Sequence, residues 1–137
     1  MYVICCVDDR FGLAFNHRRV SSDCVVTEDI LNRVDHSTLC ADEYSAKLFT
    51  GNIPANFVVD SNALEKAGPN EFVFTERKDP LQYKDRIEKV IVYFWNRNYP
   101  SDVKLSYNES DWERKVIAEF PGHSHEKVTV EEWTPRI

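Results

Sequence analysis

Residues 89–95 read KVIVYFW, and this stretch decides the fold class because it is apolar on both of its faces. A strand with two apolar faces is covered on both sides, as the strands of parallel α/β sheets are. We therefore predict that residues 89–95 form the spine of a sheet. The chain has 137 residues, of which 42% are apolar, which suffices for one ordinary core. A single domain over residues 1–137 is predicted.

Apolar runs and amphipathic segments alternate along the rest of the chain. Short apolar runs predict strands at residues 2–7, 38–41, 57–59 and 72–74. Helical periodicity and capping residues predict helices at residues 22–34, 42–49 and 61–67. Glycine and proline predict a loop at residues 50–55. Residues 112–120 and 127–133 predict two strands whose short link allows only antiparallel pairing. The predicted fold is an α/β sheet, mostly parallel, that ends in an antiparallel C-terminal hairpin.

The charge balance excludes some classes of partner. Lys and Arg total 17 against 23 for Asp and Glu, and the resulting net charge of −6 weakens attraction to nucleic acid and to anionic membranes. No positive leader precedes the first apolar run, and no run of about 18 apolar residues occurs. We expect no membrane partner, a cytoplasmic location and no binding of nucleic acid.

The cysteines lack CxxC spacing and are predicted to be buried structural thiols. They are Cys5, Cys6, Cys24 and Cys40.

The order of the elements resembles that of dihydrofolate reductase over nearly the whole chain. The similarity begins with a strand, Val7-Asp8, four residues to Gly12, and a loop into a helix headed by Asp23. It is clearest over residues 71–133, where EFVFTERKDPLQYKDRIEKVIVYF, YPSD, DWERKVIAEF and SHEKVTVEEW follow in the family's order. The resemblance implies a three-layer α/β/α fold with a cleft for a nicotinamide cofactor and a pterin.

Departures from the family's pattern fall on the turns that bind the cofactor. Where the family has three glycines that allow close approach of the pyrophosphate, this chain has Thr75, Glu76 and Arg77. Where the family has a Gly-Arg-x-Thr turn, this chain has Asp42 and Glu43 followed by Tyr-Ser. Side chains and acidic charge at both turns oppose binding of a dinucleotide, so no cofactor is expected. A helix-capping role is the alternative for Asp42.

Two further parts of the family's site are missing. The proline-tryptophan pair of its mobile loop is absent from FNHRRVSS, at residues 15–22. The segment TGNIPANF, at residues 50–57, is too short to hold the family's additional cofactor-binding strand and the arginine that binds the folate tail. Neither a lid for hydride transfer nor a site for the folate tail is therefore expected.

Asp23 falls where the family keeps the carboxylate that holds the pterin ring. Such a carboxylate would bind a guanidine-like edge in a bidentate manner. A helix N-cap is the alternative role of Asp23 and the favoured one. Tyr93 replaces a small hydroxyl residue of the family and would fill much of the pterin slot. The candidate binding surface at the mouth of the former cleft comprises Asn16, His17, Arg18, Arg19, Asp23, Tyr44, Tyr93 and Arg97.

Three functions remain open at this point. The leading hypothesis is a non-reductase module that binds an unknown small ligand or protein. The second is a reductase of a pterin-like substrate with altered cofactor use. The third is a metal-dependent ribonuclease, since FNHRR, EYSAK and WNRNYP resemble segments of short bacterial proteins labelled ribonuclease Z, and HSHE contains His123 and His125. The full HxHxDH signature is absent, so a polar hairpin loop is the favoured role of these histidines and no metal is expected.

Overall fold

The computed structural model describes residues 1–50 and 53–136. The strands are β1 (Tyr2–Val7), β2 (Gly12–Phe15), β3 (Arg18–Arg19), β4 (Leu39–Ala41), β5 (Phe57–Val59), β6 (Phe72–Phe74), β7 (Lys89–Phe94), β8 (Val103–Lys104), β9 (Trp112–Phe120) and β10 (Val128–Pro135). The helices are α1 (Cys24–Arg33), α2 (Glu43–Ala46), α3 (Ala63–Lys66) and a 3-10 helix (Pro80–Arg86). In the described ranges, no helix has the length and apolar character needed to cross a membrane.

Seven strands form the main sheet in the order β5-β4-β6-β1-β7-β10-β9. The first five of these run parallel to one another. The C-terminal strands β10 and β9 are joined to them by antiparallel pairing. The prediction of a mostly parallel sheet with an antiparallel C-terminal hairpin is therefore confirmed. Strand β7 lies between β1 and β10, and its residues from Val90 onwards are buried, as the two apolar faces of KVIVYFW require.

Both faces of the sheet are covered, because successive side chains of a strand point to opposite sides. Ile91 and Tyr93 of β7 belong to a core cluster with Val26 and Ile30 of α1. Val92 belongs to the opposite cluster, which also contains residues of α3, the 3-10 helix and β2. The second face therefore carries shorter elements than the first.

The segment between β1 and α1 forms a hairpin, whereas the sequence was interpreted as a loop. Strands β2 and β3 pair in antiparallel fashion, with Phe15 opposite Arg18, and β8 pairs with the other side of β2. The two residues between the strands, Asn16 and His17, have φ of 52° and 63°. Positive φ at both positions is the conformation of a tight two-residue hairpin turn. The prediction failed because histidine at the second position is not a common signal for this turn.

Other predicted elements exist but are shorter than expected. Helix α1 begins at Cys24 rather than at residue 22, and α2 and α3 each keep only four residues. Gly51 and Asn52, within the predicted loop at residues 50–55, lie outside the described residues.

The prediction of buried thiols holds for Cys5 and Cys40 but is wrong for Cys24, which is exposed because it starts α1 on its solvent side. Cys6 is partly buried.

Candidate functional site

The predicted site residues gather at the edge of the sheet where its parallel strands end. In open α/β sheets, ligands bind beside the carboxyl ends of the strands. Strands β4 and β6 are neighbours, and Ala41 at the end of β4 pairs with Phe74 at the end of β6. The turns that follow them therefore lie side by side, and they contain residues 42–45 and 75–77.

Glu76, in the turn after β6, is only 6% exposed. Its carboxylate accepts two hydrogen bonds from the Arg19 guanidinium, from Nε to Oε2 at 2.7 Å and from Nη2 to Oε1 at 3.0 Å. The Ser45 hydroxyl donates a third hydrogen bond to Oε1 at 2.8 Å. A buried carboxylate needs such partners, since removal from water costs several kcal/mol per ion. The Glu76 carboxylate thus joins the turn after β6 to Ser45, in the segment after β4, and to Arg19 of β3.

Two guanidinium groups stack over the Tyr44 ring. The Cζ atoms of Arg19 and Arg77 lie 4.4 Å and 4.1 Å from the ring centroid. The Tyr44 hydroxyl accepts a hydrogen bond from the backbone N–H of Arg19 at 3.0 Å. Stacking of this kind contributes about 0.5–1 kcal/mol for each cation at an exposed site. We call Arg19, Tyr44, Ser45, Glu76 and Arg77 the Glu76 cluster.

Asp42 completes this arrangement from the start of α2. Its side chain accepts from the Ser45 N–H at 2.7 Å, so the capping role considered for Asp42 is confirmed. Its second oxygen lies 3.4 Å from Arg77 Nη2. Glu43, the other acidic residue of this turn, is exposed in the first turn of α2. Thr75 is buried, and its hydroxyl donates to the Lys78 carbonyl at 3.1 Å.

Little space remains between the two turns. The cavity at this point has a volume of about 20 Å³. Its lining comprises Asp42, Asp60, Ser61, Ala63, Leu64, Val73, Phe74, Thr75 and Lys78. Sites for drug-sized ligands have volumes of about 300–1,000 Å³. The cavity is therefore far smaller than a nucleotide.

Asp23 is the N-cap of α1, and its carboxylate joins α1 to the loop between β9 and β10. It accepts from the Val25 N–H at 2.9 Å, which confirms the capping role. It also accepts from the N–H groups of His123 and Ser124 at 2.9 Å and 2.8 Å. Nδ1 of the His125 ring lies 2.8 Å from Oδ2. All of this acceptor capacity is used within the protein, which leaves none for the guanidine-like edge considered above.

The hydrogen bonds of Asp23 determine which nitrogen of His125 carries a proton. Burial opposes ionisation of Asp23, but the bonds from the His125 ring and from three backbone N–H groups hold the pKa of Asp23 well below its usual range. An ionised carboxylate only accepts hydrogen bonds, so Nδ1 of His125 donates to it and Nε2 keeps a lone pair in the neutral ring. The Ser21 hydroxyl lies 2.9 Å from that Nε2.

Two aromatic residues complete the surroundings of His125. The Tyr99 hydroxyl lies 3.3 Å from Nε2 and 3.4 Å from Ser21 Oγ. The Trp95 ring stacks on the imidazole with a centroid distance of 4.5 Å and an interplanar angle of 25°. We call Ser21, Asp23, Tyr99 and His125 the Asp23 relay. It had no signal in the sequence, because Ser21 and His125 are 104 residues apart and match no known motif.

The remaining predicted residues divide between surface and core. Asn16, His17, Arg18 and Arg97 are exposed, and Arg97 Nη2 donates to the Ser124 carbonyl at 3.0 Å. Tyr93 is fully buried, so it is a core residue and not part of a binding surface.

The Tyr93 hydroxyl belongs to a network with α1. It donates to Asp29 Oδ2 at 2.6 Å and accepts from Arg33 Nε at 3.1 Å. Burial, and then the hydrogen bond to Asp29, raise the pKa of Tyr93. The phenol therefore stays neutral and fixes the position of α1 over β7.

The two histidines of HSHE do not act together. His123 is exposed, whereas His125 is buried and both of its ring nitrogens have partners. Within residues 1–50 and 53–136, no group of three or more His, Cys, Asp and Glu side chains is placed to hold a metal ion. The loop expected at this position therefore contains one exposed histidine, His123, and one buried histidine, His125, which is hydrogen-bonded within the protein.

Gly122 approaches Asp23 so closely that a side chain does not fit. A Cβ atom at Gly122 would lie 2.6 Å from Asp23 Oδ2 and 3.1 Å from Cγ. We expect Gly122→Ala to lower the free energy of unfolding by about 1–3 kcal/mol, since the loop must move away from the carboxylate. Urea denaturation measures this loss. Gly68→Ala is the matched control, because its Cβ atom would meet nothing closer than 3.5 Å. Equal losses in both variants would contradict the prediction.

Comparison of the sequence with protein-family models and with curated proteins finds no match in either case. The geometry of the Glu76 cluster and of the Asp23 relay therefore has to indicate the function.

Proposed function

We propose that this protein is a cytoplasmic binding or interaction module, built on a shortened dihydrofolate-reductase-like scaffold, which does not reduce a substrate. The observation that carries the proposal is the Glu76 cluster, whose side chains occupy the space between the turns after β4 and β6. In the family that the sequence resembles, this is where the middle of the dinucleotide binds. The order of strands and helices supports the scaffold, and the cluster supports the loss of cofactor binding.

The energetics favour the closed cluster over a bound dinucleotide. A pyrophosphate needs free backbone N–H groups and close approach to the main chain. At this edge it would meet the carboxylates of Glu76 and Asp42 and the Tyr44 ring. Opening the cluster would separate Glu76 from Arg19, and breaking a buried ion pair costs about 3–5 kcal/mol. That cost alone weakens a dissociation constant by about 100-fold or more.

The tip of the β2–β3 hairpin is the surface best suited to a partner. Phe15 is 49% exposed, and Asn16, His17 and Arg18 beside it are exposed as well. The Arg18 side chain makes no hydrogen bond or ion pair within the part of the chain that the structure describes. The two-residue turn holds this tip in one conformation, which lowers the entropic cost of binding. Aromatic and arginine side chains are enriched where proteins meet, so an acidic ligand or protein fits this tip.

A thermal-shift series with NADPH, NADP and folate tests the loss of reductase function. We expect no change in melting temperature for any of these ligands, while a dihydrofolate reductase measured in parallel responds to them. A ligand present at a hundredfold its dissociation constant stabilises a protein by about 2.7 kcal/mol, which such a series detects easily. Saturable stabilisation by NADPH would overturn the proposal.

Charge reversal at the hairpin tip tests the binding surface. We expect Arg18→Glu to abolish retention of the partner when the tagged protein is used to capture it from the native cytoplasm. Lys115→Glu, the same charge change at an exposed position of β9, is the matched control and should retain the partner. Equal retention by both variants would exclude the hairpin tip as the binding surface.

A further inference from the structure

We propose that Ser21 is a nucleophile, activated by His125 as general base, and that it attacks small esters and other activated acyl groups. This activity goes beyond the proposed binding role and rests on the Asp23 relay alone. Ser21 Oγ lies 2.9 Å from His125 Nε2, and His125 Nδ1 lies 2.8 Å from Asp23 Oδ2. A nucleophile, a base and a group that orients the base, each within hydrogen-bond reach of the next, form the arrangement that activates serine in unrelated hydrolases.

The carboxylate and the imidazole are both held in place. Asp23 accepts three backbone hydrogen bonds, so it stays ionised and does not rotate. It keeps the proton of His125 on Nδ1 and would stabilise the imidazolium that forms when the base takes a proton. The Trp95 ring, stacked on the imidazole, restricts its plane. Little reorganisation is then needed at the moment of reaction.

Burial differs along the relay in the way that catalysis requires. The side chains of His125 and Asp23 are 2% and 0% exposed, so water does not compete for them. Ser21 is only partly buried, so its hydroxyl can be reached from the surface.

One backbone donor for a developing oxyanion lies beside the nucleophile. The N–H of Ser22, the residue after Ser21, donates to no acceptor within residues 1–50 and 53–136. Backbone N–H groups of the residue after the nucleophile commonly form part of an oxyanion hole. The Ser22 N–H is thus an unused donor next to the nucleophile.

The reaction balances without a cofactor. Ser21 Oγ bonds to the acyl carbon, and its proton passes to His125 Nε2. The bond from the acyl carbon to the alkoxy oxygen then breaks, and the departing alcohol takes the proton from Nε2. Water next attacks the acyl carbon, gives a proton to Nε2, and displaces Ser21 Oγ, which recovers that proton. The products are an acid and an alcohol.

A fluorophosphonate probe tests the nucleophile directly, because it forms an Oγ–P bond with an activated serine and releases fluoride. We expect the intact protein to be labelled once, on the peptide that contains Ser21, and to lose labelling in Ser21→Ala. Ser106→Ala, at an exposed serine outside the relay, should be labelled like the wild type. The absence of labelling, or labelling spread over exposed serines, would overturn the proposal.

Saturation kinetics of the same probe separate base catalysis from structural support. General-base catalysis contributes about 100-fold or more, so we expect His125→Gln to lower the maximal labelling rate by at least that factor. Asp23→Asn keeps a capping oxygen but not the charge, and it should lower the maximal rate while the concentration for half-maximal rate stays the same. Folded variants that react as fast as the wild type would show that the relay is only structural and would overturn the proposal.

Discussion

Replacement of Asp23 by alanine is expected to lower the free energy of unfolding by about 3–5 kcal/mol at neutral pH. The loss has two parts. The missing N-cap costs about 1 kcal/mol, and the partly buried N–H groups of His123 and Ser124 lose their acceptor, at about 1–2 kcal/mol for each. Urea denaturation of the wild type and the variant measures the difference. Asp23→Asn retains an oxygen for the Val25 N–H and should lose less than Asp23→Ala.

The contribution of Asp23 also depends on pH, and the direction follows from its lowered pKa. The folded state holds the carboxylate ionised to a lower pH than the unfolded chain does, where the pKa is about 4. The stabilisation is therefore fully present above that value and is lost as the pH falls toward the folded-state pKa. We expect the stability difference between wild type and Asp23→Asn to narrow between about pH 4 and pH 2. A difference that stays constant on acidification would contradict this account.

The second large effect is expected at the Glu76 cluster. Arg19→Met should lower the free energy of unfolding by about 3–5 kcal/mol, because it leaves a buried carboxylate with only the Ser45 hydroxyl as partner. The double variant Arg19→Met, Glu76→Leu removes both charges and should be more stable than Arg19→Met alone. Denaturation of the two single variants and the double variant gives the coupling energy.

An exposed ion pair provides the control for this cycle. Lys127 and Glu119 lie 3.4 Å apart with side chains 61% and 49% exposed, so Lys127→Met should cost less than about 1 kcal/mol. If Arg19→Met were as mild as Lys127→Met, or if the double variant were less stable than Arg19→Met, the Glu76 cluster would not hold the two turns together. A dinucleotide at this edge would then have no strong ion pair to break.

These predictions depend on the Glu76 cluster, of which the sequence predicted one part and the structure revealed the rest. Thr75, Glu76 and Arg77 were visible in the sequence, and they indicated a crowded, charged turn after the strand at residues 72–74. The partners of Glu76 were not visible, because Arg19 comes from a hairpin 57 residues earlier whose turn lacks a common signal. Ser45 comes from a third segment. The sequence thus located the charged turn, and the structure supplied the partners of its carboxylate.

For Asp23 too, the sequence predicted the local contact and the structure revealed the distant ones. Its position before an amphipathic segment predicted an N-cap, and that prediction was confirmed because capping depends on residues close in sequence. Its bonds to the loop between β9 and β10 depend on residues about 100 positions away, which no local pattern reveals. The assignment of His125 to a polar loop consequently missed the buried imidazole beside Asp23.

By itself, the sequence determined the parallel sheet, its central strand, its antiparallel end and the caps of α1 and α2, since hydrophobic period and capping are local properties of the chain. Only the tertiary structure decided that the turns after β4 and β6 are closed by Arg19, and that Ser21, His125 and Asp23 form one relay. Both arrangements join side chains from segments far apart in the chain. Their geometry arises when the sheet brings those segments to one edge, and not from any residue's neighbours in sequence.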